Sequence, residues 1–167
     1  MKLENDRLII KDVEPEEASF YFELFNDPDW LKYINDKGLK TVEATKKYLI
    51  DILEKNGKLN GLGFFTIFSK ELNEPVGMSS ALQREKLDFI DLGYALLPKG
   101  RGKGYASEAT LLMMDYIKDT FKQEKVYAFT LPENEKSKRL LEKLGYTYIG
   151  KQSVFEGEED CVYEFIF

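Results

Sequence analysis

The chain contains no histidine. That one absence excludes imidazole acid–base chemistry, Ser-His-Asp triads and most zinc sites, and no metal is expected. Cysteine occurs once, as Cys161. It cannot close an internal disulfide, and with no histidine to activate it a Cys-His nucleophile is excluded too. Its place in an apolar C-terminal run points to core packing. No apolar run has the length of a membrane span, and the charged stretch Met1–Asp12 lacks the apolar segment of a secretory signal. A cytoplasmic protein without membrane contact is expected. Positive charge is in deficit: 24 Lys and Arg against 30 Asp and Glu leave a net charge of −6. This argues against nucleic acid as a partner; it favours a cationic one or serves solubility alone.

Aromatic residues are plentiful, with 12 Phe and 10 Tyr, and 43% of the residues are hydrophobic. A chain of 167 residues with that composition is read as one domain, residues 1–167. The pattern predicts a strand over Arg7–Val13 and a helix over Pro15–Phe25, opened by proline and two glutamates. Trp30–Lys40 reads as irregular or a short helix. Thr41 caps a helix over Val42–Lys55. Strands follow at Phe64–Ser69, Val76–Leu82 and Leu87–Leu97, the last apolar enough to be buried on both faces. A helix over Ser107–Phe121, a strand over Val126–Leu131 and a helix over Glu135–Leu144 with Gly145 as its stop come next. Two terminal strands, Thr147–Phe155 and Cys161–Phe167, flank the acidic loop Glu156–Asp160. Three adjacent strands imply an antiparallel meander, and the later strand-helix-strand implies a parallel pair. The fold class is α+β: a mixed, mostly antiparallel sheet flanked by helices.

The segment with the most chemistry in it is Leu96-Leu97-Pro98-Lys99-Gly100-Arg101-Gly102-Lys103-Gly104-Tyr105-Ala106. Strand, glycine-rich turn and helix in that order place unpaired N–H groups at a helix N-terminus, where phosphate binds. Two phosphate loops fail on spacing. The nucleotide P-loop needs glycine where Leu97 stands and Ser or Thr where Gly104 stands; the dinucleotide fingerprint needs a third glycine where Ser107 or Tyr105 stands. The pattern Gln/Arg-x-x-Gly-x-Gly/Ala does fit, through Arg101, Gly104 and Ala106.

That pattern is the pyrophosphate motif of the GNAT acetyltransferases, which the chain resembles over nearly its whole length. Leu92-Gly93-Tyr94 to Pro98 and Arg101 to Ala109 look like the "xGYxxxPxxxGxGYAxEA" run of the branch that includes ribosomal-protein N-terminal alanine acetyltransferases. Asn134, Ser137 and Leu140-Leu141-Glu142-Lys143-Leu144-Gly145-Tyr146 follow at the family spacing. The resemblance implies the GNAT fold, with about seven strands and about four helices. It implies an N-acetyltransferase that takes acetyl-CoA as co-substrate and carries the acetyl group directly to a primary amine, with no covalent enzyme intermediate. The amine acceptor is a peptide N-terminus or a small amine. Alternatives are a polyamine- or aminoglycoside-type enzyme and a non-catalytic acyl-CoA-binding module. A monomer or a homodimer fits equally.

By the same resemblance, backbone N–H groups from Arg101 through Gly102, Lys103, Gly104 and Tyr105 to Ala106 hold the pyrophosphate. Arg101 and Lys103 add charge, or are solvated loop cations. Backbone groups of Ala95, Leu96 and Leu97 pair with the pantetheine arm as an added strand would, and an N–H near Leu96 polarises the thioester carbonyl. Asn134 bonds the arm or caps the following helix. Asp91, a carboxylate in an apolar strand, is the leading base, its pKa raised by burial; the alternative is a buried carboxylate satisfied by a cation. Glu85 and Asp88 are weaker candidates. Leu141 stands where many relatives carry a tyrosine acid, so Ser137 is the candidate donor to the thiolate leaving group, or else first-turn helix polarity. Trp30 and Tyr33, with Leu31, Ile34 and the loop Phe155–Asp160, frame the acceptor pocket; for Trp30 the competing role is cover of the core.

Overall fold

The computed structural model describes residues 1–155 and 157–167. Glu156, in the acidic loop, lies outside the described residues. Eight strands form one sheet in the order β1-β2-β3-β4-β5-β6-β8-β7. In chain order the elements are β1 Lys2–Glu4, β2 Leu8–Asp12, α1 Ala18–Phe25, α2 Pro28–Tyr33, α3 Val42–Lys58, β3 Gly63–Ser69, β4 Glu74–Leu82, β5 Asp91–Leu96, α4 Tyr105–Phe121, β6 Lys125–Thr130, α5 Glu135–Lys143, β7 Thr147–Gln152 and β8 Asp160–Ile166. Short 3-10 turns at Pro15–Glu17 and Pro98–Gly100 lead into α1 and the glycine loop.

The class expected from sequence holds, with one more strand and one more helix. β1 has no pattern of its own; it exists because Leu3 pairs with Ile10 of β2. α2 is made by its start: the Asp27 carboxylate accepts from the Asp29 N–H at 3.1 Å, and Pro28 occupies the first turn, where a missing N–H costs nothing. β3, β4 and β5 form the antiparallel meander, and β5 pairs with β6 in parallel.

The sheet separates two cores. On one face Leu92 and Leu96 of β5, Val126 and Ala128 of β6, and Cys161 and Tyr163 of β8 pack with Met113 and Ile117 of α4 and Leu141 of α5. On the other, Phe20, Tyr21 and Phe25 of α1 pack with Leu49 and Ile52 of α3 and with Trp30. Fully burying each such side chain stabilises by about 1.5–3 kcal/mol, which clamps the sheet between two helical layers. Cys161 is buried in the first core, as its apolar run implied.

β5 is shorter than the run Leu87–Leu97 that its apolarity predicted, and its middle residues Gly93, Tyr94 and Ala95 are only half-buried. The reason is local: the strand beside them leaves.

Candidate functional site

β5 and β6 meet at one register pair among the described residues, Asp91 with Tyr127, where the Tyr127 N–H donates to the Ile90 carbonyl at 2.9 Å. Beyond it β5 continues on β4 and β6 on β8, so the sheet splits. The register says which groups face the split. The Leu97 N–H donates to the Val76 carbonyl of β4 at 2.9 Å. Antiparallel pairs alternate between bonded and non-bonded, so Ala95 and Gly93 also turn their N–H and C=O toward β4. Leu92, Tyr94 and Leu96 therefore turn theirs toward the split; the Leu92 N–H is taken up by the Tyr127 carbonyl at the register pair, and its own carbonyl remains for the edge. This sharpens the expectation for the strand edge. Leu96 presents its N–H as anticipated. Leu97 does not: its N–H is held by β4, its carbonyl accepts from Gly100 at 2.9 Å, and its side chain is buried. Tyr94 and Leu92 take its place.

The glycine loop follows at the end of that edge. The 3-10 turn Pro98–Gly100 occupies the Arg101 N–H, which donates to the Pro98 carbonyl at 3.1 Å. The run of N–H groups with no backbone acceptor among the described residues thus begins at Gly102, one residue later than expected, and passes through Lys103, Gly104, Tyr105 and Ala106 to Ser107. Gly104 is the N-cap of α4 at φ +83° and Gly102 lies at +71°. Both conformations exclude most side chains, and the bend they make turns successive N–H groups into one concavity at the positive end of a 17-residue helix.

The cations of the loop differ. The Arg101 guanidinium is bound to Asp27 at 2.7 Å, to Asp29 at 3.2 Å and to the Leu96 carbonyl at 3.1 Å. It ties the loop to α2, and its charge is matched by two carboxylates. Lys103 is exposed. Its carbonyl is held by Arg7, whose Nη2 donates to it at 2.8 Å. Arg7 also pairs with Glu108 at 2.6 Å and Glu71 at 3.3 Å, and lies 4.7 Å over the Tyr105 ring. The Tyr105 hydroxyl bonds the buried Ser69 hydroxyl and the exposed Glu71 carboxylate. Sequence reasoning passed over Arg7, because nothing local marks a β2 arginine as a partner for a loop 96 residues away.

Asp91, at the vertex of the split, is 2% exposed. Burial pushes its carboxyl up to about 6, although the Arg84 guanidinium acts in the opposite direction. Arg84 Nε donates to one carboxylate oxygen at 2.8 Å and Nη2 reaches the other at 3.4 Å. Both readings of Asp91 thus coexist: it is satisfied by a cation, and it is poised near neutrality. Arg84 lies 5.0 Å over the Phe129 ring and 4.7 Å over the Phe155 ring. It belongs to the same turn as Glu85 and Asp88, and sequence reasoning missed it.

On the other side of the split, Asn134 is the N-cap of α5; its carbonyl oxygen accepts from the Ser137 N–H at 3.3 Å. The capping role is present, and the amide N–H2 has no partner among the described residues. Burial raises the pKa of the Tyr94 phenol, and the Ser137 hydroxyl acts in the opposite direction. Leu141 is buried in the first core behind this pair. Tyr94 thus stands on the split where no tyrosine comes from α5.

Trp30 is a correction. It is 3% exposed, packs 4.9 Å from Phe25 and covers the second core, because α2 turns the ring inward. Tyr33, half-buried at the end of α2, carries Lys32 at 4.9 Å from its ring, and Lys32 feels Glu133 of the β6–α5 loop. α2 therefore reaches toward the far side of the split. Among the described residues no group of His, Cys, Asp and Glu could hold a metal, and no helix is long and apolar enough to cross a membrane.

Known proteins share this layout. Residues 7–147 match the family model described as an acetyltransferase (GNAT) domain. An uncharacterised protein of Bacillus subtilis, YkkB, is 30% identical over 150 residues, 88% of this chain and 86% of that one. The uncharacterised N-acetyltransferase p20 of Bacillus licheniformis is 29% identical, over 86% of this chain and 81% of that one. A solved GNAT-family acetyltransferase from Bacillus anthracis superposes with a TM-score of 0.80 at 26% identity, covering 99% of this chain and 98% of that one. RimL, a ribosomal alpha-N-protein acetyltransferase solved in complex with coenzyme A, shares the fold at a TM-score of 0.83 and 16% identity, over 99% of this chain and 98% of that one. The split sheet and glycine loop define the class, an N-acetyltransferase. The chain belongs to the GNAT acetyltransferase family.

Proposed function

We propose that residues 1–167 act as one domain that moves an acetyl group from acetyl-CoA to a primary amine, a peptide N-terminal α-amine or a small-molecule amine. The observation that carries this is the continuity of the free β5 edge with the free N–H run from Gly102 to Ser107. A ligand with an amide-bearing arm and a pyrophosphate fits both at once. The arm adds to Leu92, Tyr94 and Leu96 as a strand would, and the pyrophosphate oxygens take the loop N–H groups. Lys103 supplies screened charge, and the free amide of Asn134 faces the arm from α5.

This seating puts the thioester near the vertex of the split. A backbone N–H of the β5 edge, that of Tyr94 at this depth, donates to the thioester oxygen as it becomes an oxyanion. The Asp91 carboxylate, ionised at neutral pH, takes the proton of the acceptor ammonium, directly or through water. The neutral amine attacks the thioester carbon; the tetrahedral intermediate collapses by breaking the C–S bond, and the proton that the nitrogen sheds on becoming an amide passes through water to the thiolate sulfur. The Ser137 hydroxyl, backed by the Tyr94 phenol, donates a hydrogen bond to the departing thiolate. Serine is too weak an acid to protonate it outright, so this pair stabilises charge.

Calorimetric titration with acetyl-CoA, followed by thiol release with an amine panel, tests the reading. Saturable binding with amine-dependent release is expected; no binding of acetyl-CoA would overturn it.

A further inference from the structure

Asp160 opens β8 on the face of the sheet opposite α4 and α5. Side chains alternate along each strand, and Cys161, Ala128 and Leu92 belong to the core against α4. Asp160, Phe129 and Asp91 therefore share the other face, where Arg84 sits. Asp160 is 4% exposed, and its Oδ2 is buried with no hydrogen-bond partner among the described residues. A buried carboxylate oxygen left without a donor carries the full cost of its lost hydration. Burial and neighbouring Glu158 push this carboxyl up, and Arg84 acts in the opposite direction. Arg84 does not satisfy it: its Nε and Nη2 bond Asp91, and none of its N–H groups donates to Asp160.

We propose that Asp160 is an acceptor-binding residue, whose free oxygen receives an N–H from a cationic group of the acceptor beside the Arg84–Asp91 pair. The inference rests on the acetyl-transfer reading and adds a recognition site to it. Charge supports it. Asp91, Asp160 and neighbouring Glu158 against Arg84 leave negative charge in excess, which suits an ammonium or guanidinium group. Chemistry supports it as well. An ammonium arriving at Asp91 meets Arg84, a like charge, and a second carboxylate on the same face offsets that repulsion. The Phe129 and Phe155 rings, 5.8 Å apart and edge-to-face, give the carbon skeleton of the acceptor an apolar wall, and Phe155 is 41% exposed. The site therefore selects a cationic amine with an apolar stem, and it disfavours an acceptor that brings its own carboxylate close to the reacting nitrogen.

Methylguanidinium tests this without turnover, since it donates N–H bonds and is too weak a nucleophile to be acetylated. Titration followed by NMR should shift the Asp160 and Cys161 backbone amides saturably. In Asp160→Asn the dissociation constant should rise at least about tenfold, with acetyl-CoA affinity unchanged. Equal binding to wild type and Asp160→Asn would overturn the proposal, and so would shifts elsewhere only. Asp160→Asn removes a buried charge and keeps the shape, so folding is retained; Asp160→Glu serves as a second variant that keeps the charge and should preserve part of the binding. With amines that turn over, Asp160→Asn should raise KM for the amine and leave KM for acetyl-CoA in place. If acetyl-CoA fails to bind at all, the acetyl-transfer reading fails, while the methylguanidinium titration still reports on Asp160.

Discussion

Arg7 Nη2 donates to the Lys103 carbonyl at 2.8 Å, joining the second strand to the glycine loop across 96 residues of sequence. A loop whose N–H groups must all point inward needs its carbonyls held outward. Arg7 holds one of them, and its bonds to Glu108 and Glu71 keep it in place. Arg7→Ala should therefore weaken acetyl-CoA binding by about tenfold, the scale of one lost charge-assisted bond. Calorimetry checks this; unchanged affinity would show that the loop holds its shape alone. Arg7→Lys keeps the charge without the fork and should recover only part of the loss.

Gly104→Asp places a carboxylate at the first turn of α4, inside the N–H concavity. The new Cβ would meet only Arg7 Nη1, at 3.9 Å, so packing permits it. The φ of +83° adds strain of roughly 1–2 kcal/mol. A modest fall in melting temperature is expected, with acetyl-CoA affinity down by about a hundredfold or more because the anion now repels pyrophosphate. Normal affinity in a folded variant would remove the loop from the proposed site.

The acid limb of the rate should report Asp91. As the base it must be ionised, so kcat/KM should rise with pH and level off above about 6. Asp91→Asn should lower kcat and abolish that limb. Removing the Arg84 charge by Arg84→Gln should move the limb upward, because the guanidinium is what opposes burial. A limb unmoved in both variants would exclude Asp91.

Stability should carry the opposite pH sign from activity. The folded carboxyl of Asp91, at about 6, lies above its ordinary value of 3.8. The folded state thus binds this proton more tightly than the unfolded chain. Its contribution is complete below about pH 4 and is lost as pH rises through about 6, on the order of 3 kcal/mol in all. Wild type should lose stability relative to Asp91→Asn across that window, and denaturant titrations at several pH values measure the difference.

Ser137→Ala and Tyr94→Phe should each lower kcat by roughly three- to tenfold without raising KM for acetyl-CoA, as expected for a hydrogen bond strengthened only when thiolate departs. Because Ser137 acts on the Tyr94 phenol, the double variant should cost less than the product of the singles. Strict multiplicativity in stopped-flow rates would separate their roles.

Most of the architecture was legible in the residues. Apolar periodicity located α1, α3 and the meander, and Thr41, Pro15 and Gly145 marked ends. β1 escaped, because Leu3 has a strand partner only once β2 is folded; at α2 the residues leave a short helix and an irregular segment both open, because the pattern is six residues long. Leu97 was misassigned because its N–H faces β4 rather than the split, a matter of register parity that no local signal carries. For Trp30 the residues leave pocket wall and core cover both open, because an aromatic residue between two helices fits either role, and only the turn of α2 chooses between them.

The order of motifs alone determined the family and marked the loop proposed to hold the donor, because close approach of backbone to pyrophosphate needs glycine at fixed spacing and leaves a trace in the chain. The acceptor side left none. Arg84, Asp91, Phe129, Phe155 and Asp160 come from separate strands and turns, and only the sheet, by alternating side chains and parting β5 from β6, brings them to one face. Tertiary structure decided which charges are already matched, as at Arg101, and which buried oxygen, on Asp160, still lacks a donor.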